Sequence, residues 1–422
     1  MSLQEVSKIS VGAYNISKRT LMPAATTRFN SRIGKSLVTA TIFALIFSVQ
    51  VLSQPPSAFP VDISVTCAPR PVMADGRIRL LYELHLTNFS PKPIELTGLD
   101  VFGSDSAKLL ASYRGKELEV LLTTIGPPTD STDKVQAIAG GRTVVIFIDI
   151  VLDPGMRAPA ELHHKLLLSI AAKDGHIIVQ TLKGPVVVVG KPAPVLRSPL
   201  QGSGWVAFNG LSSGDHRRTL LPVDGKVRIS QRFAIDWMLL GPDGRLFHGE
   251  SNSNANFYSY GAKVFAVGDG RISSLKDGLP DNAGNNEQSG RTITLDNVTG
   301  NYLILDLGNG YFAFYAHLQP GSLQVKTGDK VKAGQVLGLL GNSGNSDAPH
   351  LHFHLMDANS PLGSEGLPYE LDTFTQLGIV DDPAALDTGQ SWQSKTKAMP
   401  VVHRLEFPVD NAVMILSPQH SK

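Results

Sequence analysis

Cysteine is nearly absent, with one residue, Cys67, in 422. An internal disulfide is therefore excluded, and if such a chain is exported it must draw its stability from core size or from a metal. A charge imbalance is lacking too, since 38 basic residues stand against 37 acidic ones. The whole-chain charge thus gives no case for nucleic acid or another polyanion as partner. Sustained helical periodicity is also missing; only a short stretch at 369–378 is compatible with a helix. Acidic residues are missing locally: there is none from Val6 to Val61, where Lys8, Lys18, Arg19, Arg28, Arg32 and Lys35 stand alone.

Directly after those cations, residues 36–52 run without a charge. The run is at the short limit of about 17 to 25 residues for a membrane span and is interrupted by Thr39, Thr41, Ser48 and Gln50. It reads as a signal peptide with a long basic leader or as a retained anchor in the inner membrane. In either case the basic flank stays in the cytoplasm and the rest is exported, to the periplasm, cell envelope or extracellular space. The expected organisation is a leader, signal or anchor segment and Pro-rich linker at 1–59, one domain at 60–191, a second at 195–382 and a C-terminal tail at 383–422.

Both domains are expected to be all-β. In the first, 79–87, 143–151, 177–181 and 185–189 are rich in β-branched and aromatic residues and are separated by turn signals, the pattern of an immunoglobulin-like β-sandwich. His163 and His164 sit in a polar stretch and are expected at its surface. In the second, 263–267, 302–307, 311–316 and 335–340 read as strands joined by glycine turns. The stretch 278–291 has no apolar period and reads as a long loop, either a lid or an insertion.

The second domain holds His216, His248, His317, His350, His352 and His354. Three of them alternate within five residues, so on a strand advancing about 3.3 Å per residue they share one face with roughly 6 to 7 Å between neighbours. That spacing suits one metal ligand and one proton-handling neighbour, although a half-buried strand with an imidazole face would look the same. Asp236 lies in the apolar run Phe233-Ala234-Ile235-Asp236-Trp237, where a carboxylate needs a metal or a salt bridge to an arginine. A catalytic zinc needs three protein ligands and an open position. With thiolates excluded, Asp236 and His352 are the candidate ligands, and His317 and His350 the candidates to move protons.

Several ordered blocks carry a family resemblance: Arg232-Phe233-Ala234-Ile235-Asp236; the stretch 261–270; Tyr315-Ala316-His317-Leu318; the stretch 325–335; and 341–346 leading into His350-Leu351-His352-Phe353. Over about 150 residues the chain resembles the lysostaphin and LytM-type zinc endopeptidases. The resemblance implies an antiparallel β-sheet peptidase domain with a narrow groove, cleavage of bacterial peptidoglycan peptides or a protein substrate, and Zn2+ as cofactor. It also implies Asp236 and His352 as metal ligands, with His317 and His350 handling the water and the developing oxyanion. One position departs: the family's first histidine ligand, four residues before the aspartate, is Arg232 here. A guanidinium cannot ligate a cation and would be repelled by one at close range. His216 is the expected substitute, with His354 or no third protein ligand as alternatives. A hairpin pairing Val223 with Lys226 would put His216 on the wrong face, so its ligation requires a shift of that strand. The competing functional readings are an inactive scaffold or activator of another wall hydrolase and a histidine-based phosphate carrier.

Overall fold

In the computed structural model the described residues are 59–104, 108–125, 136–172, 174–211, 214–284, 292–393 and 399–417. The basic leader and the uncharged run at 36–52 lie outside them. Among the described residues no helix is long and apolar enough to cross a membrane. Pro60–Lys422 form one compact unit, built almost wholly of antiparallel strands.

Its N-terminal part contains two sheets. One runs in the order Val61–Ser64, β1 (Arg77–Asn88), β2 (Thr143–Val151), Leu122–Thr124; the other runs Ile177–Lys183, Glu161–Ala171, Ile94–Phe102, Leu109–Arg114. β1 and β2 pair without interruption from Arg79↔Val151 to Thr87↔Thr143. Alternation gives β1 two working faces. Leu80, Leu84 and Leu86 are fully buried on one side, where Tyr82 Oη lies 2.7 Å from His164 Nε2 of the second sheet. The Nδ1–H of His164 donates to the carbonyl of Pro185 at 2.9 Å, so its Nε2 accepts from Tyr82. His164 is thus buried, contrary to the surface expectation; a tyrosine and a carbonyl satisfy its two nitrogens.

On its other face β1 turns Leu81 and Glu83 toward the C-terminal part. Leu81 joins a core that also holds Trp205, Trp237, Phe233 and Phe407, and Val145 and Phe147 of β2 pack on Ile229. The two parts are therefore joined by apolar packing.

The C-terminal part is organised on a sheet that has twelve strands among the described residues. Near its centre lie β3 (Gly202–Phe208), β4 (Ile235–Leu239), β5 (Tyr311–Leu318) and β6 (Leu351–Met356), with β4 between β3 and β6, and β6 next to β5. Between β3 and β4 the chain makes a short helix, α1 (Gly214–Arg217), and a tight hairpin, Leu221–Val223 with Lys226–Arg228. Two expectations are corrected here. The stretch at 369–378 is a strand, Glu370–Ile379, paired with Val401–Glu406 from Leu371 to Gln376 and with Ala412–Leu416 from Phe374 to Ile379. The expected tail supplies Val401–Glu406 and Ala412–Leu416, and the latter lies between Glu370–Ile379 and β3. Ala412, Val413, Met414 and Leu416 are buried there, and this apolar content explains why the segment docks despite its polar approach.

Candidate metal centre

Antiparallel register brings the key residues together. Asp236 of β4 stands directly opposite His352 of β6, and His352 stands opposite Ala316 of β5. Directly opposed side chains share a face. The Asp236 carboxylate accordingly meets His352 Nδ1 at 2.9 Å through Oδ1, and His350 Nε2 lies 3.5 Å from the same oxygen. His350 sits one residue before β6, with its Nδ1 2.8 Å from the carbonyl of Ala348.

His216 reaches the same carboxylate from α1, its Nε2 3.2 Å from Asp236 Oδ2. The Val223↔Lys226 register of the hairpin is the one read from sequence, but the hairpin ends at Leu221↔Arg228. Beyond it the chain turns into α1, so extrapolating strand alternation to residue 216 fails. His216 Nδ1 lies 3.0 Å from the carbonyl of Asn209 and 3.3 Å from that of Ala234. Both partners are acceptors, so Nδ1 carries a proton, and in the neutral ring the lone pair is on Nε2.

His317 enters from the end of β5. It has φ 62, in the left-handed region that a bulky residue adopts at a cost of about 1 to 3 kcal/mol, beside a register shift between Asn301 and Leu303. Its Nδ1 donates to the carbonyl of Ser343 at 2.7 Å, and its ring centroid is 4.8 Å from that of His350. Ser343 belongs to the turn at 342–346. That turn closes against the backbone of Gly300: a Cβ on Gly344, φ 76, would stand 2.2 Å from the Gly300 nitrogen. Asn282 also holds the turn, its Nδ2 donating to the carbonyls of Asn342, Gly344 and Ser346. The described part of the 278–291 loop is thus tied to this turn; 285–291 lie outside the described residues.

His354 stands one strand step beyond His352, with its Nδ1 3.0 Å from His352 Nε2 and 4.9 Å between its ring centroid and that of Phe314. It makes contact with His352 rather than with Asp236. Asn209, which the sequence reading passed over, donates to Asp236 Oδ2 at 2.9 Å. The Asn209-Gly210 dipeptide is a turn signal that marks the place without marking the role.

Arg232 is only 1% exposed and points away from Asp236. Its guanidinium bonds Glu83 at 2.9 to 3.2 Å, Glu365 at 2.8 Å and the carbonyl of Gly366 at 2.9 Å. Burial alone would lower its pKa, but Glu83 and Glu365 raise it above the ordinary arginine value.

The electrostatics centre on Asp236. Burial alone would raise its pKa, yet the facing imidazoles of His216 and His350, with hydrogen bonds from His216 and His352, hold it well below the usual carboxylate range. Burial pushes His216 down, but Asp236 outweighs it and raises the imidazole above its ordinary value. Burial, reinforced by His350 and His352, holds His317 well below the ordinary value, so it is neutral at pH 7. Two groups of donor atoms lie within 4.8 Å of one another: His216, Asp236 and His352; and His317, His350 and His352.

These donors fit a metal ion. Tetrahedral coordination at about 2.0 to 2.1 Å sets donors roughly 3.3 Å apart; Asp236 stands 3.2 Å from His216 through Oδ2 and 2.9 Å from His352 through Oδ1, and one donor atom from each of the three lies within 4.8 Å of the others. With Nδ1 of His216 bonded to carbonyls, its Nε2 faces a carboxylate oxygen, and a shared cation can take the place of the proton between them. Arg232, held by Glu83 and Glu365, contributes no donor.

Fold and site define an all-β protein with a histidine and carboxylate centre able to hold a metal ion. Residues 255–363 match the model of peptidase family M23. The match contains His317, His350, His352 and His354, while Asp236 and His216 precede it. Among relatives, the chain is 30% identical over 168 residues to the peptidoglycan DD-endopeptidase ShyA of Vibrio cholerae, covering 36% of this chain and 32% of that protein. It is 33% identical over 117 residues to the glycyl-glycine endopeptidase ALE-1 of Staphylococcus capitis, covering 28% of this chain and 27% of that protein. The matched region thus spans about a third or less of these relatives. The catalytic domain of lysostaphin from Staphylococcus simulans aligns at 23% identity with a TM-score of 0.21, over 39% of this chain and 84% of that one.

Proposed function

We propose that this chain is an exported zinc-dependent endopeptidase hydrolysing peptide bonds of bacterial peptidoglycan. The observation that carries the reading is the Asp236 carboxylate between His216 and His352, with the neutral imidazole of His317 and the ring of His350 beside them. The match to the family model and the names of the relatives support peptide-bond hydrolysis and the wall substrate.

In this reading His216 Nε2, Asp236 and His352 Nδ1 hold the metal. A bound Zn2+ supplies a Lewis acid and lowers the pKa of a coordinated water to about 7. His317, its Nδ1–H given to Ser343, keeps Nε2 unprotonated and able to accept the proton of the attacking water. His350, whose Nδ1–H goes to Ala348, presents Nε2 on the same side and steadies the developing oxyanion when protonated. His354 accepts from His352 Nε2–H and so keeps Nδ1 of His352 as the ligand. Residues 36–52 serve as the signal or inner-membrane anchor. The chain from Pro60 divides into a first part at 60–191, whose strand order supports an immunoglobulin-like sandwich, and a second part from 195 that includes the strands at 401–406 and 412–416.

Purified peptidoglycan incubated with the zinc-loaded chain should release peptide fragments, and His350→Ala or a chelator should abolish release. Cleavage of a generic protein without cleavage of any wall preparation would overturn the substrate assignment. The arginine at 232 favours a second reading, a metal-free scaffold or activator of another wall hydrolase. That reading requires no zinc in the purified chain.

A further inference from the structure

We infer that the N-terminal β part positions the metal ligand His216, and that Glu83 is the positioning residue through which it acts. The inference rests on His216 being a ligand. α1, which carries His216, has four residues and no stability of its own. The two residues after His216 anchor it. Arg217 is buried and donates through Nη2 to the carbonyls of Tyr82 in β1 and Ile148 in β2, while its Nε lies 3.6 Å from Glu83 Oε1. Arg218 sets its guanidinium 4.9 Å from the Phe147 ring centroid, and donates to Thr123 Oγ1 at 2.9 Å and to the carbonyl of Val120. His216 and Arg217 therefore point in opposite directions, one into the metal centre and the other into the N-terminal part.

Glu83 joins this anchor to the strand of Asp236. It is 1% exposed, and besides Arg217 it pairs with Arg232, four residues before Asp236. One buried carboxylate from β1 thus touches the segments that carry two of the three proposed ligands. A ligand on a four-residue helix would otherwise have to be ordered as the metal binds, and ordering costs affinity. Arg232, at the position where the resemblance implies a histidine ligand, thus shares with Arg217 the carboxylate that holds the segment of His216.

The test is Zn2+ affinity of the full chain, read by competition with a chromophoric chelator, in a double-mutant cycle. Glu83→Gln keeps the side-chain shape and removes the charge. It should weaken Zn2+ binding about 10-fold or more, the usual effect of losing a group that orients a ligand. In the His216→Ala background the same change should cost less than about 3-fold, because the ligand it positions is gone. Arg218→Ala, at a partly exposed side chain, provides a second variant and should weaken binding several-fold. Co2+ absorption of Glu83→Gln should lose intensity as His216 leaves the metal. If His216→Ala lowers affinity while Glu83→Gln and Arg218→Ala do not, the inference is wrong and the ligand assignment stands. If His216→Ala leaves affinity unchanged, the ligand assignment itself fails. Equal losses from Glu83→Gln with and without His216 would also overturn the inference, since they indicate a general effect on the fold.

Discussion

Replacing Arg232 by methionine removes the cation between Glu83 and Glu365, which are 1% and 2% exposed. Glu83 accepts from Nε at 3.0 and 3.2 Å and Glu365 from Nη2 at 2.8 Å. Removing one partner of a buried ion pair costs about 3 to 5 kcal/mol, because the charge left behind is neither solvated nor paired. Two neighbours moderate the loss: Arg228 Nη1 lies 3.1 Å from Glu365 and Arg217 Nε 3.6 Å from Glu83. The expected destabilisation at pH 7.5 is therefore near the lower end, about 3 kcal/mol. Protonating one carboxylate relieves the variant, so its deficit should shrink by about 1 kcal/mol or more at pH 5. Urea unfolding of the wild-type and Arg232→Met chains at both pH values measures this directly. A deficit below about 1 kcal/mol at pH 7.5, or one that does not change with pH, would refute the view of Arg232 as a buried electrostatic anchor.

Three further outcomes follow from the geometry. His164 is held at a pKa of about 4 by burial, against about 6.5 in an unfolded chain. Its neutral form is favoured by the fold, so the stability it contributes is present above pH 6.5 and lost as pH falls toward 4, by about 3 kcal/mol in all; His164→Gln should flatten the stability profile over that interval. Gly344→Ala places a Cβ 2.2 Å from the Gly300 nitrogen and should displace the Ser343 carbonyl from His317, lowering kcat at least 10-fold with little change in Zn2+ content. His354→Leu removes the acceptor for His352 Nε2 and should weaken Zn2+ binding about 10-fold, with His354→Asn weakening it less.

The strands at 77–88, 143–151, 301–308 and 311–318 were legible because continuous apolar or β-branched runs between glycine turns leave few alternatives. The strand at 370–379 was not: its ten residues alternate imperfectly, and their conformation is decided by partners at 195–196, 401–406 and 412–416. The clustering of His350, His352 and Asp236 followed from period-two geometry and family pattern together. The position of His216 did not, because a helical turn interrupts the strand alternation that seemed to exclude it. Arg232 was legible as a missing donor but not as an anchor, since its partner Glu83 lies 149 residues away in sequence.

In the proposed zinc centre His216 completes the ligand set with Asp236 and His352. Metal analysis of the purified full chain should find one Zn2+ per wild-type chain and loss of most of it in His216→Ala. No stoichiometric zinc in the wild type, or the same content in both proteins, would contradict this assignment.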